Sequence, residues 1–318
     1  MRRTRFPKEE QTADADDGLS GGIVMRREMI TTSPRGLNQE LLPYQLYQKA
    51  KRLGIWNPQD IDLSRDREDW SRLTADQQEE VLRRISGFLG GEEAVTLDLL
   101  PLIMAIAREG RIEEELFLTT FLFEEAKHTE FFRMVLDGIG AKGDLSQYHG
   151  EAYRKVFYEI LPEAMERLVT DQSPEAVAEA STVYNMFVEG VLAETGYFAF
   201  YETLDKAGIM PGLMQGIGFL KTDESRHISY GTFLLQRLIC DDPRLFDVVV
   251  NKMNELAPLV GQIFQGEKKW ERSPLGARLE DLVNFAHKQF NVRIEILARA
   301  KGQTLDELYK NAKTAVDV

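Results

Sequence analysis

Two Glu-x-x-His motifs, residues 125–128 (EAKH) and 224–227 (ESRH), most constrain what this chain can fold into. A glutamate compatible with a helix precedes each motif at nearly the same distance, Glu92 by 33 residues and Glu189 by 35 residues. Because residues i and i+3 share one face of an α-helix, each motif directs a carboxylate and an imidazole the same way. Four helices that carry these two pairs and the two lone glutamates can supply the six ligands of a carboxylate-bridged dimetal site.

Chance explains this duplicated motif poorly. The chain has 4 histidines, and two of them would each have a glutamate three places earlier by chance about one time in twenty. His149 and His287 lack the motif, and we expect them to be ordinary surface or packing residues. A purely structural helical bundle is a competing hypothesis, but it would bury four carboxylates without partners, which is costly.

The composition excludes several classes of protein. A net charge of −13 argues against nucleic acid or an anionic membrane as a primary partner. Cys240 is the single cysteine, so an intramolecular disulfide is excluded and a reducing, cytoplasmic location is expected. Its apolar surroundings predict a buried thiol.

No apolar stretch reaches the roughly 18 residues of a membrane span. No apolar segment follows the basic residues 1–5, so we expect no secretory signal.

Helical periodicity without a competing strand signal predicts an all-α fold, a ferritin-like four-helix bundle core with additional helices. Residues 1–36 are predicted to be a flexible N-terminal extension, within which Met25 is an alternative start. Residues 37–318 are predicted to form a single ferritin-like dimetal-carboxylate domain.

Caps and helix breakers set the predicted bounds of the helices. Thr74 and Ser173 are candidate N-caps, and Gly138 and Gly140 are candidate C-terminal stops. An irregular, charged segment is predicted between the first two helices, up to about residue 70. The predicted helices cover about residues 38–53, 74 to an interruption near Pro101, 113–136, 150–169, 173–206, 212–239, 243–268 and 275–300.

The ligand set indicates the chemistry. Carboxylates and imidazoles suit iron and manganese, and the motifs contain no thiolate that would select zinc or Cu(I). Two such metals can share the redox change of a two-electron oxidation. Periodicity alone does not separate Glu92 from Glu93, or Glu189 from Glu194, as the lone ligands. Asp223, directly before the second motif, is either a solvated helix charge or a residue that orients a ligand histidine.

From about residue 37 to its C-terminus, the chain resembles the R2-like ligand-binding oxidases, relatives of the small (R2) subunit of class I ribonucleotide reductase. The Glu-x-x-His pairs are generic to ferritin-like proteins, whereas the Glu-Glu-Ala-Val and Val-Tyr-Asn segments are far more specific. The segments that carry the resemblance are residues 56–58 (WNP), 61–66 (IDLSRD), 91–96 (GEEAVT), 123–128 (FEEAKH), 183–190 (VYNMFVEG) and 223–227 (DESRH).

The resemblance implies a specific set of site residues. Asp223 and Trp56 would lie on a hydrogen-bonded chain from a ligand histidine toward the surface. Phe132 stands where tyrosyl-radical R2 proteins carry tyrosine, although manganese/iron R2 subunits also carry phenylalanine there. The implied metal ligands are Glu92, Glu125, His128, Glu189, Glu224 and His227.

The resemblance also implies an activity. The expected protein is a homodimeric oxidase with one manganese and one iron, or with two irons, that uses O₂ and binds a long-chain fatty acid or similar apolar molecule. An ether cross-link in this family matches Tyr184 and Val95. Val95 lies one turn beyond Glu92 on the same face, and Tyr184 lies five residues before Glu189. Without the resemblance, both residues would indicate plain core packing.

Two other functions compete with this hypothesis. A radical-generating R2 subunit would require a large partner subunit, and the paired Glu-Glu-Ala-Val and Tyr-Asn segments argue against it. An iron store would hold many iron atoms per chain, whereas the predicted site holds two metals.

Overall fold

The computed structural model describes residues 29–265 and 273–309. The chain divides into two compact units, residues 1–36 and residues 37–318. Most of the predicted flexible extension, including Met25, lies outside the described residues, as do the last residues of the helix predicted to reach 268.

Helices form the second unit throughout its described part, which contains no β-strand, so the predicted all-α class is confirmed. Short 3₁₀ helices at Pro58–Asp60, Ser146–Tyr148 and Arg167–Val169 join some of the longer elements. The main helices are α1 (Leu42–Leu53), α2 (Ser64–Arg72), α3 (Ala75–Arg108), α4 (Ile112–Ile139), α5 (residues 151–166), α6 (residues 174–205), α7 (Pro211–Asp241), α8 (Leu245–Gln265) and α9 (Leu279–Ala298).

Local sequence signals fix several of these helix ends as predicted. Thr74 and Gln77 form a reciprocal capping box at the start of α3. The Ser173 hydroxyl accepts the backbone N–H of Ala176, 3.3 Å away, at the start of α6. Gly140 ends α4 in the left-handed region at φ 75°, whereas Gly138 lies inside that helix.

The predicted interruption near Pro101 is wrong, because α3 continues through this residue to Arg108. Proline removes one backbone hydrogen bond, to the carbonyl four residues earlier. That carbonyl belongs to Leu97, a residue that is 67% exposed and lies away from the core of its own chain. Leu99 and Leu102 are fully buried on the opposite side and hold α3 against the core.

The irregular segment predicted up to about residue 70 is also wrong in part, since α2 forms there. This helix has no apolar stripe for periodicity to detect. Its buried Asp66 accepts the backbone N–H groups of Gly212 (2.8 Å) and Leu213 (2.6 Å), and its Asp69 accepts that of Met210 (2.9 Å). The carboxylates of α2 therefore cap the N-terminus of α7, where the helix dipole favours negative charge.

Two apolar clusters fill the interior of the second unit. Both clusters contain residues of the same long helices. On α3, α4 and α7, the predicted ligands lie between the residues of one cluster and those of the other. The boundary falls between Ile85 and Val95 on α3, between Phe131 and Phe121 on α4, and between Leu220 and Tyr230 on α7.

Cys240 is partly buried rather than fully buried as expected, and its thiol lies 3.7 Å from the carbonyl of Ala300. Among the described residues, no helix combines the length and apolar character that crossing a membrane requires.

The cap from α2 can be tested by removing its carboxylate. Asp66→Ala leaves two buried N–H groups of α7 without acceptors, and we expect it to lower the free energy of unfolding by about 3 kcal/mol. Asp66→Asn keeps one acceptor and should cost about half as much. Urea denaturation at constant metal loading measures both, with Glu68→Ala as the control because Glu68 is 68% exposed on the same helix. Equal stabilities of the Asp66 and Glu68 variants would contradict the assignment.

Candidate metal centre

The six predicted ligands converge in two overlapping groups. Glu125 belongs to both groups, and all six side chains are at most 5% exposed. Glu93 is exposed and Glu194 is only partly buried, whereas Glu92 and Glu189 are buried, so burial favours the latter two as the lone ligands. The first group is Glu92, Glu125, His128 and Glu224, and the second is Glu125, Glu189 and His227; within each, the ligand atoms lie within 4.8 Å of one another.

His128 faces the first group through one ring nitrogen. Its Nδ1 lies 3.4 Å from Glu92 Oε2, 3.5 Å from Glu125 Oε2 and 3.6 Å from Glu224 Oε1. Its other nitrogen, Nε2, lies 3.3 Å from Asp223 Oδ2. Since an ionised carboxylate only accepts, this contact places a proton on Nε2, so Nδ1 is the nitrogen that would bind a metal ion once it carries no proton.

His227 repeats this arrangement in the second group. Its Nδ1 lies 3.2 Å from Glu125 Oε1, 3.7 Å from Glu224 Oε1 and 3.9 Å from Glu189 Oε1. Its Nε2 lies 2.9 Å from Glu124 Oε2. Glu224 therefore approaches both imidazoles almost equally, and it stands between the two groups as Glu125 does.

Several atoms at the centre of this cluster are buried and have no hydrogen-bond partner. Unsatisfied buried polar atoms are uncommon in folded proteins and require an explanation. Two divalent cations would satisfy these atoms and balance the four carboxylate charges, so the donor set fits a dimetal centre. The unpartnered atoms are both carboxylate oxygens of Glu125, Oε1 of Glu189, Oε2 of Glu224 and Nδ1 of His128 and of His227.

Without metal, the cluster must hold protons instead. Burial raises the pKa of Glu92 and of Glu189 well above the usual range. Burial also acts to raise the pKa of Glu125, but the imidazoles of His128 and His227, which lie close to this carboxylate, outweigh burial and hold that pKa below its usual value. The surrounding carboxylates overcome desolvation at both imidazoles and raise their pKa values well above the ordinary range.

Trp56 and Asp223 are in contact beside His128. The Trp56 indole Nε1 donates to Asp223 Oδ2 at 2.8 Å, and its ring stacks on His128 with 14° between the planes. Lys127 Nζ lies 3.4 Å from the same carboxylate and 4.3 Å from the indole centroid. Because Trp56 is partly exposed, this chain of contacts connects His128 to the surface.

Glu124 and Arg226 are site residues that the motif analysis missed. Glu124 directly precedes the first motif, as Asp223 precedes the second, and each acid contacts the histidine of the other motif. The duplication itself carried this signal, since an acidic residue stands before both motifs. Arg226, inside the second motif, contacts both acids.

Asn185 is a third missed residue, and it holds Glu189. Its Nδ2 donates to Glu189 Oε2 at 3.0 Å, and its Oδ1 accepts the Ser181 hydroxyl at 2.9 Å. Gly231 makes room for it, because a Cβ at that position would lie 2.2 Å from the Cβ of Asn185. Asn185 and Glu189 belong to the π-helical segment Thr182–Ala193 of α6, a geometry frequent at functional sites.

Tyr184, in the same π-helical segment, reaches Val95 on α3. Its hydroxyl donates to the backbone carbonyl of Val95 at 3.1 Å, and both residues are buried. Burial, together with the charges of the cluster carboxylates, raises the pKa of Tyr184 well above its usual range. At this depth the hydroxyl stays protonated and shielded from water.

Aromatic packing surrounds Phe132, which is fully buried and stacks on Phe88 with ring centroids 5.2 Å apart.

The remaining histidines lie outside the cluster. His149 contacts Tyr158 and Ser86 through its ring nitrogens, and His287 is exposed.

Comparison with known proteins identifies the family. A family model described as the small chain of ribonucleotide reductase matches residues 43–298. An R2-like ligand-binding oxidase with aerobically reconstituted Mn/Fe cofactor is 43% identical, with a TM-score of 0.81 and coverage of 86% of this chain and 98% of that chain. The chain belongs to the R2-like ligand-binding oxidases.

Relatives within this oxidase family carry two kinds of cofactor. A glycine-to-leucine variant with an aerobically reconstituted Fe/Fe cofactor is 43% identical, with a TM-score of 0.81 and coverage of 86% of this chain and 99% of that one. A tyrosine-to-phenylalanine variant with Mn/Fe matches with the same values. The family and the ferritin-like fold predicted from the sequence are therefore confirmed.

Proton release should accompany metal binding to this oxidase. Burial raises the pKa of Glu92 and of Glu189 and so favours their protonated forms in the metal-free cluster, whereas metal binding favours the ionised forms. We expect Mn²⁺ affinity to rise as pH rises from about 6 to about 8. Calorimetry in two buffers of different ionisation enthalpy counts the protons. Glu92→Gln should release fewer, and an affinity independent of pH would contradict the prediction.

Proposed function

We propose that this chain is an O₂-activating oxidase with a heterodinuclear Mn/Fe cofactor, or an Fe/Fe cofactor in its place. It would bind a long-chain fatty-acid-like molecule and perform two-electron oxidation of C–H bonds. The observation that carries the proposal is the buried set of four carboxylates and two imidazoles, in which three of the carboxylates and both imidazoles have atoms without hydrogen-bond partners. Related oxidases that hold Mn/Fe or Fe/Fe support the choice of metals.

In the proposed site, Glu92 and His128 would hold one metal, and Glu189 and His227 would hold the other. Glu125 is common to both groups, and Glu224 Oε1 lies about as far from one imidazole as from the other, so both carboxylates would contribute to both metal positions. The bound metals would supply O₂ activation and share the two-electron redox change. Asn185 fixes Glu189 so that Oε1 remains directed at the cluster.

The proposed self-oxidation joins Tyr184 to Val95. The reaction removes the hydrogen from the Tyr184 hydroxyl and one hydrogen from the Val95 β-carbon, and a C–O bond forms between the two atoms. O₂, the oxidant, accepts the two electrons and two protons. The proposal is supported by the contact between the two residues, since the Tyr184 hydroxyl donates to the backbone carbonyl oxygen of Val95 at 3.1 Å.

The alternative function is a radical-generating small subunit of ribonucleotide reductase. The family match over residues 43–298 and the Trp56–Asp223–His128 contacts are compatible with it. The oxidase proposal has the stronger support, because the 43% identical structures are ligand-binding oxidases. We also propose a cytoplasmic location, on the basis of the single, unpaired Cys240.

Peptide mapping after aerobic reconstitution with Mn²⁺ and Fe²⁺ tests the proposal. Trypsin cleavage after Arg84 and Arg108 releases the Val95 peptide, and cleavage after Arg167 and Lys206 releases the Tyr184 peptide. We expect the two peptides to be joined with the loss of two hydrogens. Anaerobic reconstitution should leave them separate, because no oxidant is present.

Matched tyrosine variants show whether the coupling uses the assigned oxygen. Tyr184→Phe should bind both metals and form no cross-link. Tyr197→Phe is the control, since this fully buried tyrosine has a hydroxyl without a hydrogen-bond partner, and it should still form the cross-link. Separate peptides from wild-type protein with both metals bound would overturn the oxidase proposal in favour of the ribonucleotide reductase alternative.

We further propose that the protein is a homodimer that pairs through α3. Leu97, Leu100 and Met104 lie on one face of this helix and are 67%, 45% and 53% exposed. Spacings of three and four residues make them a continuous apolar stripe. An apolar stripe of this kind is typical of a surface covered by another protein, and a second copy of the chain presents the same stripe.

Charges placed in this stripe should separate the subunits. Leu97→Lys combined with Leu100→Lys should change the mass in light scattering from twice the 36.3 kDa chain mass to that of a single chain. Val169→Lys is the control, because Val169 is 50% exposed but lies outside α3. A wild-type protein with the mass of one chain, or a dimer that survives both lysines, would rule out this interface.

A further inference from the structure

Arg226 makes an unusual set of contacts behind the metal centre. It is 3% exposed, although it lies on the long helix α7 inside the second Glu-x-x-His motif. Its Nη2 donates to Glu124 Oε1 at 2.6 Å and also contacts Asp223 Oδ1. Its Nη1 donates to the carbonyl of Thr222 at 3.0 Å. One buried guanidinium therefore joins the acids that precede the two motifs.

These two acids act on opposite histidines. Glu124 lies beside Glu125 on α4 but accepts from His227 on α7, while Asp223 lies on α7 but contacts His128 on α4. Each carboxylate is an acceptor and keeps the proton of its imidazole on Nε2. This crosswise pairing leaves both Nδ1 atoms available to metals.

Asp223 and Glu124 differ in the donors and cations that contact them. Asp223 also receives the indole N–H of Trp56 and lies 3.4 Å from the Lys127 ammonium. Within the part of the chain that the structure describes, Glu124 accepts side-chain hydrogen bonds from Arg226 and His227. Loss of Arg226 therefore removes the cation that donates a hydrogen bond to Glu124 and leaves it only a longer-range attraction to Lys127, while Asp223 keeps its other donors.

We propose that Arg226 is a positioning residue that, through Glu124, holds His227 in the tautomer and orientation needed by the Glu189–His227 metal position. The Glu92–His128 position depends on it much less, because Trp56 and Lys127 also hold Asp223. This inference rests on the proposed dimetal function. It assigns Arg226 no contact with either metal or with substrate.

A merely structural Arg226 would behave differently. Removing one member of a buried ion pair is destabilising wherever it lies. Such a loss would lower the unfolding temperature without selecting one metal position over the other. The test therefore needs a measurement that separates the two histidines, and the chain suits it because it has 4 histidines.

Histidine-labelled full-length protein loaded with Zn²⁺ provides this measurement. Zinc is a diamagnetic probe, and long-range ¹H–¹⁵N spectra distinguish a metal-bound Nδ1 from a protonated nitrogen. In wild type at two equivalents, we expect His128 and His227 both to show bound Nδ1 and protonated Nε2. In Arg226→Met, His128 should keep this signature and His227 should lose it, with the second zinc bound about tenfold more weakly in a chelator competition.

Two further variants test the route through Glu124. Glu124→Gln should reproduce the selective loss at His227, because an amide that accepts from the imidazole must turn its NH₂ group toward the Arg226 donors. Arg226→Lys retains the charge but not the guanidinium geometry that contacts both acids. Its affinity for the second zinc should lie between those of wild type and Arg226→Met. If Arg226→Met does not fold, Glu124→Gln decides the question alone.

The possible outcomes separate the inference from the proposed function. A wild-type chain that binds two zinc ions, with both signatures unchanged in Arg226→Met and in Glu124→Gln, overturns the positioning role and leaves the dimetal site intact. Equal weakening of both zinc ions also overturns it, because the selectivity is lost. A wild-type chain that binds fewer than two zinc ions overturns the proposed dimetal function itself.

Discussion

The structure depends on one electrostatic constraint, the burial of four carboxylates at the centre of a helical core. Like charges at such short distances repel strongly where water is excluded, so the core requires compensating cations or protons. The two imidazoles compensate part of this charge, and the unpartnered oxygens show where metal cations would supply the rest. Apolar clusters on both sides exclude water and keep the helices that carry the ligands in place.

The duplicated motif produces two positions with the same ligand types but different surroundings. The His128 side has Trp56 and Lys127 behind Asp223, whereas the His227 side has Glu124 and Arg226. Asn185 restrains Glu189, so the lone glutamates also differ in their contacts. Since the donor atoms are alike, differences between the two metal positions must come from these neighbours. Such inequivalence is compatible with the mixed Mn/Fe cofactor of the related oxidases.

Sequence reasoning succeeded where the signal was local and failed where it was not. Thr74, Ser173 and Gly140 fix helix ends through contacts within a few residues, and all three act as the sequence predicts. Pro101 did not end α3, because burial of the opposite face compensates for one lost hydrogen bond. The helix α2 was missed because its carboxylates bind N–H groups of α7, more than a hundred residues away.

The sequence by itself determined the residue types of the site and their spacing along four helices, because these follow from residue identity and the helical repeat, while the family entered as a resemblance of whole segments. Tertiary structure decided which acid serves which histidine, why Glu92 rather than Glu93 turns inward, and how Arg226 joins the two halves. Periodicity reports which residues share a helix face, but not which other helix that face meets. The crosswise contacts arise from the packing of α4 against α7, so they became visible only once the helices were assembled.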